Sequence, residues 1–276
     1  MYNLDNLKVL GSGATATVYL LDGERIIKVF NSLYLADAVQ YEAHLSEEIS
    51  KTGIIAPKFH YLTTVENKNA IVSDYIDGQL LLTRLLNSPV TACFGIMKQM
   101  ADSQKLIHRT ECTGITSQYD RFSYLINNTG LNTSKKKIIL EILQEMITDT
   151  AVCHGDFHPG NIIADENGVL YTIDWMNCYY GNCLGDAVRT YLTLVSPFDP
   201  FNLPVIKKFF FKIYRLLLGK IYLREYCKNT DIKKRDIKKW IPIIAAGRLA
   251  DNIPDEDKWL LRLIDSNMKY LTASSA

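Results

Sequence analysis

The 276-residue sequence has almost no excess of charge of either sign, with 31 Lys and Arg against 30 Asp and Glu. That balance excludes an overall field that would gather nucleic acid or an anionic membrane, so neither partner is expected. The densest basic run, Lys233 to Lys239 around Asp236 and Ile237, reads as a solvated helix face. Six cysteines (Cys93, Cys112, Cys153, Cys178, Cys183 and Cys227) contain no Cys-x-x-Cys pair. The closest two, Cys178 and Cys183, lack a nearby histidine, so small reduced core residues are expected in place of a zinc site. No apolar run has the length of a membrane span. The most apolar stretch, Phe209 to Leu223, is broken by Lys212, Arg215 and Lys220, which predicts an amphipathic, buried helix that packs. The first seven residues lack the basic and apolar regions of a signal peptide, which sets a cytoplasmic expectation.

What is present is a chain with 47% hydrophobic residues, enough for one large core or two moderate ones. Short β-like runs come first: Leu7 to Leu10, Thr17 to Leu21 and Arg25 to Phe30, with Asp22-Gly23 turning the last two into a hairpin. A helix is predicted over Ala36 to Lys51, stopped by Gly53, followed by strands over Lys58 to Thr64 and Ala70 to Ile76. After Gly78 helical patterns dominate, most clearly over Lys135 to Thr148 behind the candidate caps Thr133 and Ser134. One β-like island interrupts them: Ala151 to Cys153, a polar loop, Asn161 to Ala164, the turn Asp165-Glu166-Asn167-Gly168, and Val169 to Ile173. There is no internal repeat and no low-complexity linker.

The polar loop reads His154-Gly155-Asp156-Phe157-His158-Pro159-Gly160-Asn161, and Ile173-Asp174-Trp175 follows at the far end of the hairpin. Phosphoryl transfer asks little covalent help of a protein; it needs an in-line nucleophile and cations on the phosphate oxygens. Asp156, Asn161 and Asp174 supply one carboxylate to accept a hydroxyl proton, plus an amide oxygen and a second carboxylate to hold a metal. Near the N-terminus, Gly11-Ser12-Gly13-Ala14-Thr15 sits between two strands, where small residues let backbone amides approach phosphate oxygens. Lys28 interrupts the apolar run Ile26-Ile27-Lys28-Val29 and needs a partner, which Glu42 on the next helix can supply. Glu47 and Glu48 lie farther along that helix.

These motifs resemble the aminoglycoside phosphotransferase and choline kinase family, whose loop reads His-Gly-Asp-x-x-x-x-Asn before an Ile-Asp-Trp or Ile-Asp-Phe segment. The resemblance implies an α+β, two-lobed protein-kinase-like fold, with a small antiparallel β-sheet N-lobe over residues 1–77 and a mainly helical C-lobe over 78–276. It implies ATP in the intervening cleft, with GTP the alternative donor, and Mg2+ as cofactor. Asp156 is then the catalytic base, Asn161 and Asp174 the magnesium ligands, and Gly11, Ser12, Gly13 and Thr15 the phosphate loop. Lys28, fixed by Glu42, meets the α- and β-phosphates. The hinge that receives adenine falls on the Asp74 carbonyl and the Ile76 amide, His158 braces the catalytic loop, and Asp186 in Gly185-Asp186-Ala187-Val188-Arg189 braces it from below.

A protein kinase has these elements in the same order, but Trp175-Met176 replaces Phe-Gly after Asp174, no Ala-Pro-Glu follows, and Ala16 stands at the third loop glycine. A regulatory pseudoenzyme would have lost the base, the metal ligands or the lysine. A small-molecule hydroxyl acceptor is therefore expected, with cations such as aminoglycosides or choline among the candidates. Asp251, Asp255, Glu256, Asp257, Tyr179, Trp240 and Trp259 are the acidic and aromatic side chains that could receive one. Oligomeric state is not legible.

Overall fold

Alternation along residues 25–30 organises the first sheet. Ile27 and Val29 turn to one face, where they join Leu4, Val65, Ala70 and Val72, while Phe30 turns to the other, with Ala16, Val39, Ala43 and Ile71. The computed structural model describes residues 3–13 and 15–272. In chain order the elements are β1 (Lys8–Ser12), β2 (Ala16–Leu20), β3 (Arg25–Phe30), α1 (Ala36–Ser50), β4 (Phe59–Val65), β5 (Lys68–Asp74), β6 (Gly78–Leu80), α2 (Leu81–Leu86), α3 (Val90–Ile107), α4 (Gln118–Asn127) and α5 (Thr133–Met146). They continue with β7 (Ala151–Cys153), β8 (Ile162–Asp165), β9 (Leu170–Thr172), β10 (Tyr179–Gly181), α6 (Cys183–Val195), α7 (Val205–Cys227), α8 (Lys234–Arg248) and α9 (Asp257–Thr272).

The chain divides into two compact units, Met1–Arg84 with Gly160–Asn177, and Leu85–Pro159 with Cys178–Ala276. The first holds a five-stranded antiparallel sheet in the order β1-β2-β3-β5-β4, with α1 against β4 and β5. A second sheet, β6-β8-β9, contains the expected hairpin. Its turn closes where Asp165 Oδ1 accepts the Val169 amide (2.7 Å) and Gly168 adopts φ +81°. The other unit is helical around a core of Phe122, Ile139, Leu143, Tyr179, Val188, Trp240, Ile243 and Ile264, with β7 and β10 as a short antiparallel pair.

Several elements differ from expectation. The cap of α5 is Asn132, whose side chain accepts the Lys135 amide at 2.8 Å, and the helix ends at Met146. Strand β5 stops at Asp74, so Ile76 falls in the connection to β6. The apolar stretch from Phe209 is part of a longer α7, and only its second half is buried: Leu218, Ile221, Tyr222 and Tyr226 pack, while Phe209 and Phe210 are more than 60% exposed. No helix among the described residues is long and apolar enough to cross a membrane. All six cysteines are free; Cys93, Cys153 and Cys178 are buried and the other three partly so.

Candidate functional site

In the first unit the register of β3 sets the geometry. Lys28 pairs with Val18 and Ile71 across its neighbours and shares the α1 side of the sheet with Phe30. Glu42 lies on the buried stripe of α1 with Val39, Ala43 and Leu45, and its Oε1 accepts Lys28 Nζ at 2.5 Å. The pair is only partly solvated, with side-chain exposures of 24% for Lys28 and 9% for Glu42. Burial raises the Glu42 carboxyl above its ordinary value, Lys28 works against that rise, and Asp174 adds to it. The turn Trp175–Asn177, next to Asp174, packs against α1, the helix that carries Glu42. Tyr34, stacked on Phe30 at 5.3 Å, is likewise raised first by burial and then by the charges around it, Glu42 and Asp174 upward and Lys28 downward.

The hairpin holds Asn161 and Asp174 together. The Ile173 amide donates to the Asn161 carbonyl at 2.9 Å, and the next residue, Asp174, takes a left-handed φ of +64°. Such a backbone is unusual for a non-glycine residue and marks a position whose side-chain direction is set by its surroundings. Trp175 locks the end of the hairpin by donating Nε1 to the Thr172 carbonyl at 3.0 Å. Asn161 is buried and Asp174 exposed, and the backbone bond between Ile173 and Asn161 places the two residues at the same end of the hairpin.

The glycine loop is open. Gly11, Ser12, Gly13 and Thr15 are exposed, and Ala14 between them lies outside the described residues. The Gly13 amide donates to the Ala16 carbonyl (2.9 Å), Ser12 Oγ meets Thr17 Oγ1 at 3.2 Å, and the Asn31 amide donates to the Thr15 carbonyl (2.8 Å). A Cβ on Gly11 would meet nothing within 4 Å, and one on Gly13 only the Ala16 carbonyl at 3.9 Å. Packing within the fold therefore does not demand glycine at either place. At the end of β5 the Asp74 carboxylate is occupied by the Lys58 amide (3.0 Å) and His60 Nε2 (2.8 Å). That leaves its backbone carbonyl, the group expected to act, independent of the side chain.

The loop that carries Asp156 belongs to the second unit and is built from beneath. Asp186, fully buried on α6, accepts the Gly155 amide (2.8 Å) on one oxygen; the other takes the His154 amide (3.1 Å), Gln104 Nε2 (2.8 Å) and His108 Nε2 (3.0 Å). Burial pushes its carboxyl up, but His108, His154 and Gln104 outweigh that and hold it below the ordinary carboxylate range. Gly155 turns the chain at φ +76°, and the Asp156 amide donates to His154 Nδ1 at 3.2 Å. Arg189, one turn beyond Asp186, donates Nε to the Gly155 carbonyl and Nη2 to Asp251 (2.9 Å). Burial also works to raise the Asp156 carboxyl, and His158, Arg189 and His154 together bring it below its ordinary value; His158 Nε2 lies 3.5 Å from Oδ2. Asp156 is 28% exposed, an ionised carboxylate within reach of solvent.

Asp186 braces the loop, but the rest of the brace, Gln104, His108 and Arg189, has no local signature beyond Arg189's place one turn after Asp186. His108 Nδ1 also meets Tyr226 Oη (2.7 Å), so α3 and α7 both support the loop. His108, Cys153 and Asp186 offer three possible ligand atoms within 4.8 Å, but His108 is engaged at both nitrogens and burial pushes the Cys153 thiol far up, which makes this a hydrogen-bonded brace. Three of the acceptor candidates belong to structure. Tyr179 and Trp240 are core, and Glu256 is buried against Arg248 (2.7 Å) and Ser196. Asp251 is engaged by Arg189, Trp259 packs on the core, and Asp255 and Asp257 are exposed.

A model of the phosphotransferase enzyme family matches residues 6–215. Among solved structures, aminoglycoside-3'-phosphotransferase of type VIII is similar at 17% identity and a TM-score of 0.58, over 89% of this chain and 92% of that one. Choline kinase LicA of Streptococcus pneumoniae is similar at 16% identity and a TM-score of 0.55, over 97% and 94%. A streptomycin–ATP–APH(2")-IIa ternary complex gives 15% identity and a TM-score of 0.55, over 98% and 97%. A search of curated protein sequences found no match. At these identities the likeness is one of fold, and it bears out the α+β, protein-kinase-like architecture expected from the sequence.

Proposed function

The chain belongs to the phosphotransferase enzyme family, and on that premise we propose that it moves the γ-phosphate of ATP to a hydroxyl of a small molecule. The observation that carries the reading is the convergence in the first unit. A half-buried lysine is fixed at 2.5 Å by a buried glutamate on α1, and the turn Trp175–Asn177 that follows Asp174 packs against that same helix. A structural ion pair would not call for a third, exposed carboxylate held beside it on a left-handed backbone. Lys28 binds the α- and β-phosphates, and Glu42 keeps the ammonium directed. Gly11, Ser12, Gly13 and Thr15 offer backbone amides to phosphate oxygens, since the space over the glycines is open. The Asp74 carbonyl and Ile76 amide receive the adenine edge.

Asn161 and Asp174 present hard oxygen donors of the kind magnesium takes, and that ion, when bound, supplies neutralising charge to the phosphate oxygens. Asp156, ionised because its neighbours depress its carboxyl, accepts the proton of the acceptor hydroxyl on a side-chain oxygen and orients that hydroxyl toward phosphorus. Its loop is already held for this, since Asp186 accepts the His154 and Gly155 amides and Arg189 donates to the Gly155 carbonyl. For the acceptor, the exposed Asp255 and Asp257 favour a cation, in keeping with the choline kinase and aminoglycoside enzymes that share the fold.

Titration calorimetry with Mg-ATP and Mg-GTP tests the nucleotide half by itself. Binding that weakens sharply in Asp174→Ala and Lys28→Met, but survives in Asp156→Ala, supports the assignment. Equal binding by all four proteins would overturn it.

A further inference from the structure

The first half of α7 exposes most of its apolar side chains. Ile206, Phe210, Ile213 and Leu217 recur at steps of four, three and four, so they form one stripe along the helix, with exposures from 73% at Ile206 to 39% at Leu217. Val205 and Phe209 widen it on one side, at 85% and 61%. Single exposed apolar residues are ordinary, but a contiguous apolar face of this kind on a soluble domain marks a place where something docks.

The face is also rigidly presented. Asp199 accepts the amides of Phe201 (3.0 Å) and Leu203 (2.7 Å), which shapes the turn into the helix. Arg215 donates to the carbonyls of Thr193, Leu194 and Phe198, which fastens α7 to the end of α6. The second half of the helix packs on α3 and α6.

Charge identifies the occupant. Between Pro200 and Arg224 there are six basic residues (Lys207, Lys208, Lys212, Arg215, Lys220 and Arg224) and no acidic one, on a chain whose total charge is +1. Of these, Arg215 is used within the fold and Lys208 lies 3.9 Å from Asp255; among the described residues no carboxylate lies within 4 Å of Lys207, Lys212 or Lys220. A second copy of the chain is a poor occupant. A two-fold contact through the stripe sets the same patch against itself and brings Lys207, Lys212 and Lys220 against one another, with Asp255 beside Lys208 too little to offset them. A helix with phenylalanine and aliphatic residues on one face and lysines beside them instead suits the boundary of an anionic bilayer, lying in the plane of the headgroups.

We propose that the segment Val205–Lys220 docks the protein on anionic membrane surfaces, with Ile206, Phe210 and Ile213 entering the interface and Lys207, Lys212 and Lys220 meeting lipid phosphates. The proposal rests on none of the phosphotransfer assignments, and among the described residues the segment meets a proposed acceptor residue only where Lys208 lies 3.9 Å from Asp255, so either assignment can fail alone. Each lysine near an anionic leaflet contributes about fivefold in binding, and the contribution falls away within roughly 8 Å at physiological salt.

The test is flotation with vesicles of phosphatidylglycerol and phosphatidylcholine in equal parts, against vesicles of phosphatidylcholine alone, at low and high salt. Binding to the mixed vesicles is expected, weakened by salt and cut at least about tenfold by Ile206→Ser with Phe210→Ser, and separately by Lys207→Glu with Lys212→Glu. Because these side chains are exposed, thermal melts of both variants should match the parent. A Phe210→Trp protein should show a blue-shifted emission that brominated lipid quenches. Failure to float with the mixed vesicles, equal recovery on the neutral ones, or a stripe variant that instead converts a dimer to a monomer in light scattering would each overturn the proposal.

Discussion

The loop His154–His158 and the loop Gly11–Thr15 differ in how much of their shape the fold itself supplies. In the first, adjacent amides are gripped by a single carboxylate with no solvent exposure, and Arg189 takes the Gly155 carbonyl. In the second, Gly11, Ser12, Gly13 and Thr15 are exposed, the glycines face open space, and among the described residues the turn is held by pairing with β2 and by bonds from Gly13 to Ala16 and from Asn31 to Thr15. The difference follows from what each has to do in the proposed reaction. A group that orients a hydroxyl must be in place beforehand, because a small misplacement is costly in rate. A loop that wraps phosphates can take its final shape from them, and an over-fixed loop would slow their release.

The comparison breaks most visibly at Asp156. Asp156→Asn keeps the shape and removes the proton acceptor, so turnover should fall by about 10²–10⁴ with unchanged nucleotide binding, read from steady-state kinetics and calorimetry. Next in size is Asp186→Ala, which strands two amides, Gln104 and His108 in a buried site; a stability loss of about 3–5 kcal/mol in urea titrations is expected. A loss below about 1 kcal/mol would mean that the loop is held by something else.

The same residue gives a pH dependence. Its carboxyl sits below the ordinary value in the folded state, so its contribution is fully present above the unfolded value near ~4 and is lost as pH falls through the lower folded value. Asp186→Asn should therefore flatten the acid limb of the stability curve. Smaller again, Lys28→Met should raise the KM for nucleotide by roughly tenfold while leaving the acceptor KM alone, the loss of one charge-assisted contact. It should also lift the Glu42 carboxyl further, because burial and Asp174 would then act unopposed by the lysine.

Smallest in stability is Gly13→Ala. With no neighbour nearer than 3.9 Å, it should leave the unfolding free energy within about 0.5 kcal/mol and yet weaken nucleotide binding. An equally silent change in the catalytic loop is not expected, since Gly155 sits at φ +76°.

How much of this was legible in the sequence divides along the same line. The residues proposed to touch phosphate or metal sit in contiguous runs with their own turn chemistry, and Asn167-Gly168 predicted the hairpin that brings Asp174 back to Asn161. Lys28 and Glu42 were legible because a charge in an apolar strand demands a partner and the next helix offered one. The brace was legible at Asp186 alone. Gln104 and His108 reach it from about eighty residues away, and nothing local marks a polar residue at the end of α3 as a loop support. The α5 cap was missed because Asn132, Thr133 and Ser134 are all competent, and only the backbone decides among them. The exposed half of α7 was misread because hydrophobic content predicts burial only when a partner surface exists; Leu218 onward has one in α3 and α6, and Ile206 to Leu217 presents its apolar stripe to solvent.

The most direct test of the central claim is ADP release from Mg-ATP and Mg-GTP against aminoglycosides, macrolides, choline, ethanolamine, homoserine and simple sugars, with Asp156→Ala as the blank. The account predicts that one acceptor class stimulates release and that the stimulation disappears in the variant. Stimulated release that persists at full rate in Asp156→Ala would contradict it.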